Sequence, residues 1–420
     1  MLPVAQAEAL LLTLVQPLHP EREVEVVNLL DAVGRILAKP VVSPLDFPHW
    51  DNSAMDGYAV QFADVAACDA EHPAILHVVS DIPAGVAPDR PIAAGEAARI
   101  LTGAMMPAGA DTVVMQENAH REGDRVQILV APTFQQFVRH KGAFHTAGDI
   151  LLSAGNRLQA PEIAVLAAAQ CPLVPVYRRL RVAVLSTGDE LVTPEQPLQP
   201  GQIVDSNQYA LLAAIAQTGC IPVPLGIVPD DPEQLRAAIA QARTQADVIL
   251  SSGGVSVGDH DYVEQILESL GGTLHIRQVA VKPGKPLTVA TFSNKDPKEA
   301  EATPQASLYI GLPGNPVSAL VTFWRFVQPA LKRMAGQRQD FLPRFVWGRS
   351  QQPIHSQGRR ETYIWGQGMP TDDGYAFQPA GGSHSSGNLI NLSQTNALAV
   401  LPVGQNHVPA GESVRLMLLS

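Results

Sequence analysis

Two patterns of apolar and polar positions divide the chain. Between about 178 and 335, short apolar runs alternate with amphipathic stretches at helical spacing. "RVAVLS", "PVPLGIV", "ADVILS" and "SLYIGL" read as buried strands, with "NQYALLAAIAQTG", "DPEQLRAAIAQARTQ" and "DYVEQILESLG" as helices between them. "HIRQVAV" and "PLTVATF" read as a hairpin-like pair, and "PVSALVTFWRFVQPALKRMAG" as a long helix. Apolar strands alternating with amphipathic helices predict a mainly parallel sheet covered on both faces. In the second helix Asp231 is placed as N-cap and Pro232 at the first helical position.

From 45 to 140 the pattern changes to short alternating runs separated by Gly, Pro and Asp, which predicts a β-rich module. It interrupts segments of similar helical and extended character at 1–44 and 141–177, where "LLDAVGRILA" reads as a helical piece and Pro161 sits in a helix first turn. Residues 341–420 return to short strands and predict a small β-barrel. The fold class expected is multidomain α+β and α/β. It has a three-layer α/β domain (178–340), an inserted β-rich domain (45–140), an N-terminal helical and extended frame, and a C-terminal barrel. The polar stretch 293–307 reads as a mobile loop.

Charge narrows the partners. A formal net charge of −11 argues against nonspecific binding to nucleic acid or anionic membrane, while leaving room for a local basic pocket. The N-terminus lacks a basic signal-peptide region, no stretch reaches the ~18 apolar residues of a membrane span, and three scattered cysteines suit a reduced compartment. A soluble, cytoplasmic protein is expected.

Polar residues collect where the α/β strands end. "RVAVLS" runs into Thr187-Gly188-Asp189-Glu190, "PLGIV" into Pro229-Asp230-Asp231, "ADVILS" into "SSGGVSVGDHDY", and "SLYIGL" into Pro313-Gly314-Asn315-Pro316. Ligands of open parallel sheets bind beyond these carboxyl ends. Gly253 and Gly254 let backbone N–H groups approach an anion, Asn315 and Pro316 open a helix, and Lys282 and Lys285 flank a turn. Asp189, Glu190, Asp230, Asp259 and Asp261 are hard oxygen donors of the kind Mg²⁺ takes beside phosphate. The rim thus has the parts for a phosphorylated ligand.

"PLDFPHWDNSAMDGYAV", "RILTGAMMPAGADTVVMQE", "STGDEL", "SSGGVSVGDHDY", "VKPGKP" and "GLPGNPVSA", in this order along the chain, resemble the molybdopterin molybdenumtransferase family of bacterial MoeA and the gephyrin E domain. The resemblance implies an elongated homodimer of four-domain subunits. It implies Mg²⁺-dependent insertion of molybdenum from molybdate into adenylylated molybdopterin with release of AMP. Other cofactor-biosynthesis proteins and apo-molybdoenzymes are the further partners it suggests. By motif, it places catalytic roles on Asp56, Thr102, Asp149, Glu190, Asp230 and Asp261, with metal ligation on Glu190, Asp230 and Asp261. Ser251, Gly253, Gly254 and Ser256 would line the nucleotide phosphate, Lys282 and Lys285 would bind anions, and Pro313, Asn315 and Pro316 would lie on the molybdate side. Two positions depart from the family: Gln278 stands where relatives often carry a basic residue, with Arg277 beside it, and Trp365 stands near where a second arginine is usual. A molybdopterin adenylyltransferase using ATP, or a gephyrin-like scaffold, are the alternative functions.

Overall fold

The computed structural model describes residues 1–253, 260–292 and 307–419. Gly254, Ser256, the side chain of Asp261, and the 293–306 part of the expected loop lie outside the described residues. Packing divides the chain into two compact units: one of Met1–Lys39, Ala154–Ile163 and Leu173–Ser420, the other of Pro40–Ser153 and Ala164–Pro172.

The larger unit is built on a six-stranded sheet. Its elements are β1 (Arg181–Thr187), α1 (Ser206–Gln217), β2 (Ile221–Val228), α2 (Pro232–Gln245), β3 (Val248–Ser252), α3 (His260–Ser269), β4 (Gly272–Gln278), β5 (Pro286–Phe292) and β6 (Leu308–Leu312). The strand order is β2-β1-β3-β6-β5-β4. The first four strands are parallel, and the β4–β5 hairpin closes one side antiparallel. The core strands carry no solvent face: β3 and β6 are buried throughout, as a sheet covered on both sides requires. At α2, Asp231 accepts the Gln234 N–H at 2.8 Å, the N-cap expected of it.

After β6 one helical run extends through Pro316–Thr322 and Gln328–Met334, with a π-helical stretch, Phe323–Val327, between them. Pro329 gives the reason. It has no N–H to offer the Arg325 carbonyl and its ring crowds that oxygen, so the helix widens there. The N-terminal helix Val4–Leu14 packs into the same core through Val4, Ala7 and Leu11, alongside Leu331 and Met334. The expected helical piece at "LLDAVGRILA" is only one 3₁₀ turn, Leu29–Ala32, because Gly34 turns the backbone to φ 76°.

Strands Arg344–Ser350, Glu361–Thr371, Gly374–Pro379, Ala397–Leu401 and Ser413–Leu418 form the expected C-terminal barrel. Pairing of Glu361–Thr371 with Ala397–Leu401 closes it, which leaves the barrel without a free edge.

The smaller unit holds its own six-stranded, mostly antiparallel sheet, in the order Thr112–Met115, Gly57–Val60, Glu96–Ile100, Ala74–Ile82, Arg125–Ile128, Ala119–Glu122. Its two apolar clusters centre on Val60, Val126 and Ile128, and on Ala98, Ile100 and Val113.

Candidate functional site

Strands β1, β3 and β6 end level. Ser186 pairs with Ser252, and Ser252 with Leu312, so the loops that follow them start at one height. The chain leaves β1 towards β2 on one side and β3 on the other, and at such a switch point the strand ends leave a crevice. Here it opens into a cavity of about 1100 Å³. One wall carries Thr187, Gly188, Ser252, Gly253, Pro313, Gly314, Asn315 and Pro316; another comes from the barrel, with Arg360, Thr362, Tyr363 and Trp365.

The loops interlock through their glycines. Gly253 has φ 90°, and a Cβ there would stand 2.3 Å from the Thr187 carbonyl oxygen. Gly314 in turn sits on Gly253, its Cβ position 3.5 Å from the Gly253 Cα. Asn207, buried in the first turn of α1, donates through Nδ2 to the Ser252 hydroxyl and to the Gly314 carbonyl, both at 2.7 Å. Asp205 caps the same helix, accepting the Gln208 N–H at 3.1 Å. Ser186 and Thr187 also line the cavity, and among the described residues their buried hydroxyls have no hydrogen-bond partner. Ser186 pairs with Ser252 and shares its face, so its unpartnered hydroxyl is a donor on the cavity side and suits a ligand rich in oxygen.

Positive charge enters by the Lys282-Pro283-Gly284-Lys285 turn, which contains a cis Lys282–Pro283 bond. Val281 and Lys282 pair in parallel with Glu361 and Thr362, and Arg360 donates to the Val281 carbonyl at 3.0 Å. Gly284, at φ 108°, rests against Thr322 of the helix, where a Cβ would come within 2.4 Å of Cγ2. Lys282, Lys285 and Arg360 thus share one cavity in a chain of net charge −11. Arg277 does not line it: its Nε donates to Glu264 at 2.8 Å, and among the described residues Arg360 is the arginine of this cavity.

Glu190 and Asp230 also line the cavity. The Glu190 carboxylate folds over Gly188, where a Cβ would lie 2.6 Å from Oε2. Asp189 holds the neighbouring loop by accepting the Asp230 N–H at 3.1 Å. Among the described residues no three His, Cys, Asp or Glu side chains converge into a metal cluster.

Ser251 is not in the cavity wall. Its side chain points to the opposite face, where its hydroxyl lies 2.6 Å from the Tyr309 hydroxyl, and Ser252 faces the cavity in its place. Alternation along a strand makes the two neighbours exclusive. Sequence reasoning also missed Asn207, Arg360 and His384. His384 lies 4.9 Å from Trp365, ring to ring, and burial pushes its pKa down. The Asp-Ser-Asn run opening α1 was the available signal for Asn207. Trp365, near which the family resemblance implies a second arginine, donates its indole N–H to Asn391 at 2.9 Å.

In the smaller unit Asp56 and Thr102 meet. Oδ1 of Asp56 accepts both the backbone N–H and the hydroxyl of Thr102 at 2.7 Å, and these bonds hold its carboxyl below the usual range. Asp149 is exposed in the same unit, its carbonyl accepting the Ser43 N–H at 3.0 Å.

Three family models match the chain: the MoeA N-terminal region (domain I and II) over residues 2–169, a probable molybdopterin binding domain over 183–333, and the MoeA C-terminal region (domain IV) over 348–419. A molybdopterin molybdenumtransferase of Nostoc sp. is 57% identical over 98% of this chain and 92% of its own length. That of Haemophilus influenzae is 35% identical over 94% and 93% respectively. The crystal structure of the molybdopterin biosynthesis moeA protein from Pyrococcus horikoshii OT3 superposes with a TM-score of 0.83 at 28% identity, covering 100% of both chains. On this agreement of motif, sequence and fold, the chain belongs to the molybdopterin molybdenumtransferase family, transferases of molybdenum cofactor biosynthesis.

Proposed function

We propose that the chain transfers molybdenum from molybdate into adenylylated molybdopterin and releases AMP in a Mg²⁺-dependent reaction. The observation that carries this reading is the gathering of Lys282, Lys285 and Arg360 with glycine-built loops around one cavity in an acidic protein. Both substrates are anionic, and fixed cations beside close-approaching backbone attract and orient them. Gly253 lets the backbone reach the phosphates, while Ser186 and Ser252 offer hydroxyls to their oxygens. Lys282 and Lys285 compensate charge on the oxyanion. Pro313, Asn315 and Pro316 shape the molybdate side.

Glu190 and Asp230 fit a Mg²⁺ ion that takes its remaining ligands from substrate oxygens and water, since such an ion needs only one or two carboxylates. When bound, Mg²⁺ supplies positive charge that polarises the pyrophosphate linkage. Asp56, Thr102, Asp149 and Asp261 enter on their motif positions, and so do Gly254 and Ser256. We also propose a homodimer working in the cytoplasm; three free cysteines suit a reducing compartment.

The test is AMP release by the purified chain from adenylylated molybdopterin, with molybdate and Mg²⁺ varied. Release that needs both ions supports the proposal. Formation of the adenylylated ligand from ATP, or release indifferent to molybdate, overturns it.

A further inference from the structure

The Lys282–Lys285 turn is held from two sides, by the main chain of the N-terminus and by a barrel strand that also walls the cavity. On one side the main chain of Leu2 pairs with the segment just before the turn: its N–H donates to the Gln278 carbonyl at 2.9 Å, and its carbonyl accepts the Ala280 N–H at 2.8 Å. On the other, Glu361 donates its N–H to the Ala280 carbonyl at 3.0 Å, and the barrel strand continues alongside Val281 and Lys282.

A buried polar chain joins these two sides. Glu8, on the N-terminal helix, pairs with Arg325 through both carboxylate oxygens. Arg325 comes from the π-helical stretch, and its side chain is only 6% exposed. Its Nε donates to the Tyr363 hydroxyl at 2.9 Å, and that hydroxyl donates to Glu361 at 2.5 Å. The Tyr363 oxygen therefore accepts one hydrogen bond and donates another within this network, while its ring packs into the cavity wall.

We propose that Glu8, Arg325 and Tyr363 are positioning residues that fix the register of the Lys282–Lys285 turn against the barrel strand, and so set the affinity for molybdate. None of the three touches the oxyanion with its polar atoms; they act through the lysines. A connected, largely buried network restricts the arrangements open to its members, and the strand it anchors is the one that pairs with Lys282. The N-terminal residues become part of the substrate-binding apparatus. This inference rests on the anion role given above to the lysines, so it needs a measurement that does not.

That measurement is amide hydrogen exchange. Tyr363→Phe keeps the ring and removes the hydroxyl; it should raise exchange at Val279–Lys285 by roughly five- to tenfold, the factor of one lost buried hydrogen bond. Other barrel strands should keep their protection. Glu8→Gln should act in the same direction, with partial recovery in Glu8→Asp. In AMP-release assays Tyr363→Phe should raise half-saturating molybdate several-fold with kcat little changed, and the effect should vanish in the Lys282→Ala background. Unchanged exchange at Val279–Lys285 overturns the proposal. Altered exchange with no dependence of either variant on molybdate overturns the anion role of the lysines and leaves the positioning in place. Additive effects of Tyr363→Phe and Lys282→Ala on molybdate would also overturn it.

Discussion

Asn207 ties two loops of the site with one nitrogen, donating 2.7 Å bonds to the Ser252 hydroxyl and the Gly314 carbonyl. The residue precedes those loops by 45 and 107 positions, so its helix start acts as a staple between two strand ends. Asn207→Ala leaves the carbonyl without that donor inside the protein, at a cost of about 1–3 kcal/mol. Urea unfolding should show that loss, and AMP release should fall further than stability does. An unchanged midpoint would show the staple to be idle.

The two glycines of the rim should behave oppositely. Gly253→Ala meets the Thr187 carbonyl at 2.3 Å on a left-handed backbone, and should cost about 1–3 kcal/mol and most of the activity. Gly314→Ala has ordinary contact at 3.5 Å and no such backbone, so its melting temperature should stay close to the parent. Melting curves of both variants, side by side, decide.

Lys282→Ala and Lys285→Ala should each raise half-saturating molybdate roughly tenfold, for a lost charge-assisted contact. Both are partly exposed on a turn, so stability should change by no more than about 0.5 kcal/mol. Titration of AMP release against molybdate reads the effect; a curve that overlays the parent removes the lysine from the oxyanion site.

For Glu190→Gln and Asp230→Asn the requirement for Mg²⁺ should rise, by roughly tenfold or more for an ionic oxygen ligand lost. The comparison is AMP release over a Mg²⁺ series at saturating molybdate. Equal Mg²⁺ dependence in parent and variants would take both carboxylates out of metal binding.

Asp56 makes a prediction about acid. Its carboxyl is held below the ordinary range by the Thr102 N–H and hydroxyl. A group depressed in the folded state stabilises it fully above the unfolded pKa, and that stabilisation is lost as pH falls through the lower folded value. Asp56→Asn should therefore unfold more easily than the parent at neutral pH, with the gap closing below pH ~4. Urea midpoints measured from pH 7 down to 3 would test the closing gap.

Much of this site could be read from residue order, because it sits on chain features that sequence displays well. Apolar strands flanked by glycine and acid mark their own carboxyl ends, so Gly253, Glu190, Asp230, Pro313, Asn315 and Pro316 were legible together, and all of them line one cavity. The choice between Ser251 and Ser252 was not. Both are buried and flanked alike, and only pairing with Tyr309 decides which face each takes. Arg360 and Tyr363 were hidden for another reason: they reach the cavity through parallel pairing of a barrel strand with Val281 and Lys282, a contact with no local signature. Arg277, the basic neighbour of Gln278, is claimed by a side-chain partner on α3, which residue order alone does not reveal.

The cavity has a timing written into it. Its earliest wall residue is Ser186 and its latest Leu389, about two hundred positions on. At the ~5–20 residues per second of protein synthesis, that interval is on the order of ten to forty seconds, during which one wall exists and the other has not been made. The glycine loops of β1 and β3 emerge long before the barrel strand that braces the lysine turn. A growing chain thus carries an open, half-walled rim for nearly half of its synthesis and completes the cavity only once the barrel has closed. Under the proposed function, a ribosome-bound fragment ending before the barrel should hold neither substrate.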